Sequence, residues 1–417
     1  MSDTAGTGAV LVVGGGISGL TAALEAAEVG NDVYLIDKNP YFGGRVAQLN
    51  QYFPKLCPPT CGLEINFRRV KDNRRIRPYT MTTVKSISGG PGNYEVTLEK
   101  APRYVNSNCT ACGDCAEACT VEIDNAFNFG MDKTKAIYLP HEMAFPRRYV
   151  LEKDACTAEC LEAIKAACKY DAIDTEMQPE TFTVNVGSIV WATGWDPYDA
   201  NKLDNLKVNS SPAIITNMMM ERMAAPNGPT GGKILRPGDD KEPESFAFVQ
   251  CAGSRDENHL EYCSYICCMA TFKQMTYIRE RYPEAKIYVF YIDLRTPGKY
   301  EHFREKLMGD ENAEFIKGKV ADIIAEDDGG VTVVAENAVT GAKVQQKVDL
   351  CVLATGMQPA LGDQGKALGV SMDGNGFVIS DPDRGMIAAG CAKSAADVYT
   401  SAQSSTAAAL KAIQIGR

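Results

Sequence analysis

The stretch Ala9-Val10-Leu11-Val12-Val13-Gly14-Gly15-Gly16-Ile17-Ser18-Gly19 decides the fold of this 417-residue chain. Its first five residues are all apolar, which is typical of a strand buried on both faces. A helix-compatible stretch follows the glycines, and a second apolar strand then ends in Asp37. The glycines fit the pattern Gly-x-Gly-x-x-Gly. Strand, glycine loop, helix, strand and acid in this order predict a dinucleotide-binding α/β fold.

The three glycines of this pattern have different tasks. Gly14 allows a tight turn, Gly16 lets a pyrophosphate approach the backbone, and Gly19 packs the helix against the strand. The helix N-terminus stabilises the phosphate charge, and we expect Asp37 to bind a ribose hydroxyl. The alternative is a glycine-rich turn in an ordinary α/β sheet, which would not require the acid at the end of the second strand.

Composition narrows the functional classes. The chain is 45% hydrophobic and 23% charged, with a net charge of −10, so a nucleic-acid partner is not expected and direct docking on an anionic membrane is disfavoured. Residues 1–8 lack the basic segment of a secretory signal, and no apolar run reaches the ~18–20 residues of a spanning helix. We therefore expect a cytoplasmic protein that reaches a membrane only through partner subunits. The fifteen cysteines of such a chain are reduced thiols suited to metal or redox chemistry.

A ferredoxin-like run of cysteines lies in the middle of the first half of the chain. The sequence Cys109-x-x-Cys112-x-x-Cys115-x-x-x-Cys119 matches the bacterial ferredoxin pattern, with Thr120 in place of the usual proline. Soft thiolate ligands select iron–sulfur clusters or zinc. Zinc sites usually divide their ligands into two separated pairs, so the spacing favours an iron–sulfur cluster.

A second, incomplete run follows as Cys156-x-x-x-Cys160-x₇-Cys168. In two-cluster ferredoxins, the fourth cysteine of each run binds the other cluster. This rule assigns Cys109, Cys112, Cys115 and Cys168 to one complete [4Fe–4S] site. It leaves only Cys119, Cys156 and Cys160 for the second site, which we expect to be lost or to have three ligands.

A third group of cysteines follows an apolar strand at 246–250. Cys251 comes directly after that strand, and a helix-compatible segment at 262–278 carries Cys263, Cys267 and Cys268. We expect Cys263 and Cys267 to share one helical face, with the other two completing a metal-binding set. The alternative is a group of buried structural cysteines.

Several motifs resemble those of flavoproteins with two dinucleotide-binding domains. They are Gly43-Gly44-Arg45, Trp191-Ala-Thr-Gly194, Leu353-Ala-Thr-Gly356 and Gly385-Met-Ile-Ala-Ala-Gly390. The resemblance implies FAD in the first domain. In the second domain, cysteines stand where such proteins carry the glycine loop for a nicotinamide cofactor. Cys391 replaces the usual aspartate, and we interpret it as a small buried residue rather than a redox group. The expected cofactor-binding residues are Gly14, Gly16, Ile17, Ser18, Gly19, Asp37, Lys38, Gly44, Arg45, Val84, Ala192, Thr193, Gly194, Gly356, Gly390 and Gln403.

The segments Gln250-Cys-Ala-Gly-Ser-Arg-Asp-Glu257 and Tyr262-Cys-x-x-x-Cys-Cys-Met269 resemble the signature of heterodisulfide reductase A subunits. Lys135-Ala-Ile-Tyr-Leu-Pro140 and the segment 401–412 resemble the same family. The resemblance implies a [4Fe–4S] cluster held by the third group of cysteines. The family also has a cysteine pair near Cys57-Pro-Pro-Thr-Cys61, for which a redox role and two ordinary loop thiols are equally open.

The chain lacks the additional terminal cluster modules of the longer family members, and this compact form is similar to the A subunits of the quinone-interacting membrane-bound oxidoreductases of sulfate reducers. That resemblance implies an electron-transfer subunit with FAD and one or two [4Fe–4S] clusters, moving electrons between menaquinol and adenylylsulfate reductase. Its partners would be a second flavin/iron–sulfur subunit, together with a membrane haem b subunit. No catalytic acid, base or nucleophile is expected.

Three alternatives remain open. The first is an electron-bifurcating subunit of the heterodisulfide reductase type. The second is a stand-alone NAD(P)H-dependent flavin reductase, which the missing second glycine loop disfavours. The third is a non-catalytic protein that retains a degenerate flavin site.

The expected fold class is α/β, with a Rossmann-like FAD domain, a second thioredoxin-reductase-like α/β domain and an inserted ferredoxin-like iron–sulfur module. The FAD domain is expected in three parts, at 1–100, 179–209 and 353–417. The inserted module is expected at 101–178, and the second domain, which carries the third group of cysteines, at 210–352.

Overall fold

The computed structural model describes residues 8–53 and 55–416. The expectation about a targeting segment rests on residues 1–8, and all of these except Gly8 lie outside the described ranges. Within those ranges, none of the helices combines the length and the apolar character needed to cross a bilayer.

A five-stranded parallel sheet forms the centre of the first domain. Its middle strand is the apolar run quoted first, which pairs with strands on both sides and is buried on both faces. In spatial order the strands are Met386–Ala388, Ser188–Trp191, Val10–Val13, Val33–Asp37 and Ile76–Thr80. All pairings are parallel, so the carboxyl ends meet at one edge of the sheet.

Different layers cover the two faces of this sheet. Ile17–Glu28 and the C-terminal helix Val398–Ile415 pack against each other on one face, where Thr60–Asp72 adds its apolar side chains. A three-stranded antiparallel sheet covers the other face. Its strands are Glu180–Val186, Asn93–Lys100 and Thr82–Gly90.

The second domain repeats the same layered plan. Its parallel sheet has the order Ile214–Thr216, Leu350–Thr355, Ser245–Ala252, Lys286–Tyr291 and Ala313–Lys317. The helices are Asn217–Ala224, Cys267–Arg281 and Glu301–Met308. The antiparallel strands on the opposite face are Val320–Ala325, Val331–Glu336 and Lys343–Val348.

Two short segments connect the domains. Trp195–Pro197 pairs with Met357–Pro359 in an antiparallel ribbon, so the chain passes between the domains twice at the same place. The short helix Gly362–Ala367 follows.

The inserted module consists of short elements around a small core that includes several cysteines. Its helices are Asp114–Ala118 and Ala158–Ala167, and its strands are Glu122–Asp124, Lys133–Lys135, Ile137–Tyr138 and Val150–Leu151. Arg103 attaches the module to the first domain through bonds to the carbonyl oxygens of Pro40 at 2.8 Å and Tyr149 at 2.8 Å.

A second buried arginine attaches the module to the second domain. Arg222 donates to Asn128 Oδ1 at 2.8 Å and to the carbonyl oxygen of Asn227 at 3.0 Å, and its guanidinium lies 4.7 Å from the Phe127 ring centroid. Burial lowers the pKa of Arg222 to about 10. A buried arginine side chain therefore attaches the module to each of the two domains.

The predicted fold class is confirmed, including the parallel sheets and the Rossmann-like first domain. One local prediction is wrong, because the helix begins at Cys267 rather than near residue 262. Tyr265 has a φ of 63°, which breaks helical geometry, and the hydroxyls of Ser264 and Ser254 are 2.7 Å apart. Cys263 therefore lies in a loop and shares no helical face with Cys267.

Candidate functional site

A cavity of about 370 Å³ lies where the carboxyl end of the first sheet faces the second domain. Its walls come from the glycine loop, from the first helix turn and from the helix Cys267–Arg281. Both tryptophans of the chain, Trp191 and Trp195, line it. Clefts at the carboxyl ends of parallel strands are the usual ligand sites of such folds, so this cavity is the candidate cofactor site.

The glycines form a cradle that side chains would fill. Gly14 has a φ of 103°, and a Cβ there would lie 2.3 Å from the carbonyl oxygen of Ala192. A Cβ on Gly19 would lie 1.7 Å from the carbonyl oxygen of Gly14, so the helix contacts the strand end directly. A Cβ on Gly44 would lie 2.9 Å from the Cα of Gly16. Two glycine segments thus meet backbone to backbone, leaving room for phosphates.

Asp37 fixes the shape of the glycine loop as well as lining the cavity. One carboxylate oxygen accepts from the Gly15 amide at 2.6 Å, and the other accepts from the Asn39 amide at 2.8 Å. Burial raises the pKa of Asp37, and these hydrogen bonds act in the opposite direction. The carboxylate is therefore positioned by the backbone at the place expected for a ribose contact.

Arg45 is held at the cavity by the inter-domain ribbon. It forms an ion pair with Asp196, donates to the carbonyl oxygen of Trp195 at 3.3 Å, and donates to Gln48 Oε1 at 3.0 Å. A cation fixed beside the glycine cradle suits a pyrophosphate.

Three buried polar atoms on cavity-lining residues have no hydrogen-bond partner within the described ranges. They are Trp191 Nε1, Thr193 Oγ1 and Gln274 Oε1. Buried polar atoms are rarely left unpaired, because each costs about 1–3 kcal/mol. A polar ligand in the cavity would supply partners, so these residues fit a dinucleotide.

Most of the residues expected to bind the cofactor lie at this cavity. Those that line it are Gly14, Gly16, Ile17, Ser18, Asp37, Lys38, Gly44, Arg45, Val84, Ala192, Thr193 and Gly194. Four others are not among the lining residues. Gly19 packs the helix on the strand, and Gly390 packs against Ser18. Gly356 contacts Ser254 in the second domain, and Gln403 is exposed and bonds to Tyr399 at 2.9 Å.

A buried ion pair, which the sequence patterns did not reveal, forms the wall opposite the glycine loop. Lys273 lies 3.1 Å from Glu221, and their side chains are 4% and 2% exposed. Lys273 also donates to the carbonyl oxygen of Gln51 at 2.5 Å, and Gln274 donates to Glu221 at 2.8 Å. Both members of the pair line the cavity.

This pair places a positive charge in an enclosed space. Burial lowers the pKa of Lys273, and the Glu221 carboxylate partly counteracts that shift. A sequence signal exists, because Lys273 lies on the same helical face as Ala270 and Tyr277. A lysine on the buried face of a helix needs an acidic partner, and that partner is far away in the chain.

The inserted module gathers the four thiols assigned to its first cluster. Burial and the neighbouring thiols of Cys109, Cys168 and Cys112 raise the pKa of Cys115 to about 12. Cys168 also accepts a hydrogen bond from the Ala172 amide at 3.3 Å. The three other thiols of the predicted set therefore lie within electrostatic reach of Cys115, and such a set suits a polynuclear iron–sulfur site.

The remaining three cysteines of the module also converge. The sulfur atoms of Cys119 and Cys160 are 3.3 Å apart, and those of Cys160 and Cys156 are 3.9 Å apart. The sequence left this site in doubt, but the structure brings all three sulfur atoms to within 4.8 Å of one another.

The third group of cysteines lies at the corresponding strand end of the second domain. Cys251 is the last but one residue of the strand Ser245–Ala252 and has a φ of 57°, and burial together with the nearby Cys268 raises its pKa to about 11. Cys267, whose pKa is also raised by burial and then by Cys268, Cys251 and Cys263, begins the helix that borders the cavity. Four thiols within electrostatic reach of one another can hold a metal cluster, which would offset the cost of ionising them.

Surface clefts open at one corner of this group. Two clefts, of about 720 and 670 Å³, both have Cys263 and Arg295 in their walls. Cys267 and Cys268 are 7% exposed, whereas Cys251 and Cys263 are half-buried. Of the four cysteines, Cys263 is the one in the walls of both clefts, which gives access to the group from outside.

The other cysteines have separate surroundings. Cys57 is half-buried and Cys61 is exposed, and both lie near the Tyr52 hydroxyl, whose pKa burial raises with a further contribution from the two thiols. Cys391 is buried, as expected, but it also lines the cavity, 3.6 Å from Ser401 Oγ.

Comparison with known proteins identifies the family. The FAD dependent oxidoreductase family matches residues 9–56. The A subunit of the Ferredoxin/F(420)H(2)-dependent CoB-CoM heterodisulfide reductase of Methanosarcina acetivorans is 36% identical over 97% of this chain. The A subunit of the H(2):CoB-CoM heterodisulfide,ferredoxin reductase of Methanothermobacter marburgensis is 34% identical over 97% of this chain. This chain belongs to the heterodisulfide reductase A-like flavoproteins.

The similarity extends over only part of those relatives. This heterodisulfide reductase A-like chain spans 53% of the Methanosarcina protein and 63% of the Methanothermobacter protein. The matches support an oxidoreductase with FAD as cofactor.

Solved structures agree on the fold. Thioredoxin reductase from Lactococcus lactis aligns with a TM-score of 0.55 over 98% of both chains, at 13% identity. The enzyme from T. acidophilum aligns with a TM-score of 0.54 over 97% of both chains, at 14% identity. At such identities the agreement concerns the fold alone.

Proposed function

We propose that this chain is an electron-transfer subunit that holds FAD and iron–sulfur clusters and exchanges electrons with protein partners instead of a nicotinamide cofactor. The observation that carries the proposal is the position of Cys251, Cys263, Cys267 and Cys268. Cys251 lies at the strand end where a second glycine loop would bind a nucleotide. Cys267 and Cys268 lie on the helix that borders the FAD cavity, and Cys263 lies in the loop before that helix.

The FAD site would be formed by the residues already described. The glycine cradle and Arg45 would hold the pyrophosphate, and Asp37 the ribose. When bound, FAD converts between two-electron and one-electron chemistry, which is the link that iron–sulfur clusters require.

On the side of the cavity opposite the glycine loop, the protein would contribute a positive charge and would exclude water. Lys273 places a buried cation on the wall, which favours a ligand that gains negative charge on reduction. Glu221, with partners at 3.1 Å and 2.8 Å, holds that cation in position. The buried neighbours exclude water from this side of the cavity.

Two groups of cysteines would hold [4Fe–4S] clusters. Cys109, Cys112, Cys115 and Cys168 would hold one in the inserted module, and the four cysteines of the second domain would hold the other. The relative from Methanopyrus kandleri, 36% identical over 97% of this chain, is named an iron-sulfur subunit, which supports this chemistry. Access at Cys263 suits exchange of single electrons with a docked protein.

Two assemblies are candidates for the complex. The names of the relatives favour a heterodisulfide-reductase-type complex, in which this chain would be the flavin subunit that could bifurcate electrons. The resemblance to the quinone-interacting membrane-bound oxidoreductases gives the second candidate. In such a complex, the chain would move electrons between menaquinol and adenylylsulfate reductase. Its partners there would be a second flavin/iron–sulfur subunit, together with a membrane haem b subunit.

The test is anaerobic purification of the tagged chain from its natural host, with flavin, iron and sulfide counts and identification of the co-purifying chains. Among these chains, a haem b subunit selects the quinone-interacting assembly, whereas heterodisulfide reductase subunits select the other. Stopped-flow mixing with NADH should leave the flavin oxidised, and rapid bleaching would refute the proposal.

A matched pair of variants tests the cluster in the second domain. Cys263→Ser should remove about four iron and four sulfide per chain, since one ligand of a cubane is lost. Cys351→Ser is the control, because Cys351 is buried in the same domain within the strand Leu350–Thr355, and it should leave the counts unchanged. Equal counts in the two variants would contradict a cluster at this position.

A further inference from the structure

The site formed by Cys119, Cys156 and Cys160 differs in geometry from the other two groups of cysteines. Its sulfur–sulfur distances are 3.3 Å and 3.9 Å for the two contacts that Cys160 makes. Within the described ranges, this is the one set of three or more possible metal ligands whose donor atoms all lie within 4.8 Å of one another. The four thiols assigned to each cluster are spread more widely than that.

The spacing fits a single metal ion. In a tetrahedral site with zinc–sulfur bonds of about 2.3 Å, neighbouring sulfur atoms lie about 3.8 Å apart. In a [4Fe–4S] cluster, each cysteine sulfur binds a different iron atom, so the sulfurs are separated by the width of the cubane. The three thiols converge on a point, whereas a cubane needs an open space between them.

The surroundings also suit a thiolate–metal site. Cys119 and Cys160 belong to the small core of the inserted module, and Cys156 packs against that core. Apolar side chains, including Ile164, enclose the inner side.

The outer side of the site is open at one residue. Cys119 and Cys160 are each 2% exposed, whereas Cys156 is half-buried. Ala163, one turn beyond Cys160 on the helix Ala158–Ala167, offers no ligand atom. A fourth ligand would therefore reach the metal from solvent beside Cys156.

We propose that Cys119, Cys156 and Cys160 bind one zinc ion as three thiolates, with a water molecule in the fourth position. Each thiol gives up its proton on binding, and no electron is transferred. Thiolates select zinc among the common divalent metals, and zinc binds more tightly than ferrous iron. The site would tie the segment after Asp114–Ala118 to the helix Ala158–Ala167. This module would then carry electrons through one cluster only.

The proposal is independent of the electron-transfer function and is tested on the intact chain. We would purify the protein anaerobically from cells grown with zinc and iron, and measure both metals and sulfide by elemental and chemical analysis. The native chain should contain about one zinc. Cys160→Ser should lose the zinc and keep its iron, whereas Cys115→Ser should lose iron and keep the zinc.

Two further measurements remain informative if Cys160→Ser does not fold. Zinc K-edge X-ray absorption of the unmodified protein should show three sulfur atoms at about 2.3 Å and one lighter atom. Cys156→His, at the accessible edge, should retain zinc, because imidazole is a good zinc ligand and a poor ligand for a cubane site.

Two results would contradict a zinc site. Loss of iron and sulfide in Cys160→Ser, from a native protein without zinc, would show that the three cysteines hold a cluster. A Cys119–Cys160 disulfide in the anaerobic protein, found by thiol counting and mass spectrometry, would also overturn the proposal.

Discussion

Replacing Lys273 by methionine should destabilise the protein strongly, because it leaves the Glu221 carboxylate buried without its cation. The two side chains are 4% and 2% exposed, so solvent cannot take over the lost interaction. Removing one partner of a buried ion pair costs about 3–5 kcal/mol. Glu221 keeps hydrogen bonds from Gln274 at 2.8 Å and from the Asn50 amide at 3.0 Å, so we expect a value near the lower limit.

The assay is urea unfolding followed by far-UV circular dichroism, with the flavin content measured on the same samples. Lys273→Met should lower the free energy of unfolding by about 3 kcal/mol. The double variant Lys273→Met/Glu221→Gln should recover part of this loss, since no unpaired charge remains. Lys366→Met is the control, because Lys366 is exposed and its pairing with Asp363 is worth little.

A loss of stability below about 1 kcal/mol in Lys273→Met would refute this account, because a loss of that size is what an exposed ion pair would give.

Three other predictions concern separate parts of the molecule. Gly19→Ala should abolish FAD binding, measured by absorbance after gel filtration, because the new Cβ would lie 1.7 Å from the Gly14 carbonyl oxygen. Arg222→Gln should expose the inserted module to limited proteolysis before the rest of the chain, since its charge-assisted hydrogen bond to Asn128, worth about 1.5–3 kcal/mol, and its contact with the Phe127 ring are lost. Burial lowers the pKa of His141 from 6.5 to about 4, so the folded state binds fewer protons than the unfolded chain in this range. Stability should fall by about 3 kcal/mol as the pH drops from 6.5 to 4, and His141→Phe should remove this part of the slope in urea titrations.

The parts of the molecule that could be predicted from the sequence are those in which chemistry fixes the spacing. The glycine loop needs Gly14, Gly16 and Gly19 at set intervals, and the first ferredoxin run needs its cysteines two or three residues apart. Both patterns involve residues close together in the chain, so they can be recognised in the sequence. The cross-assignment of Cys168 also comes from such a spacing rule, which connects the two runs, and it stays a prediction.

The parts that could not be predicted depend on contacts between distant segments. The loop at Cys263 is fixed by Ser264, whose hydroxyl meets Ser254 at 2.7 Å and accepts from the Met357 amide at 2.9 Å. Helical periodicity takes no account of such contacts. The same is true of Lys273 and Glu221, which lie on different helices and meet only after the second domain has folded.

The position of Trp191 and Trp195 on the cavity wall has a practical consequence. The chain contains no other tryptophan, so its entire indole emission arises beside the candidate flavin site. An oxidised flavin absorbs where tryptophan emits and would quench both residues at this range. The protein therefore contains its own optical probe, and cofactor occupancy can be followed in real time without a label.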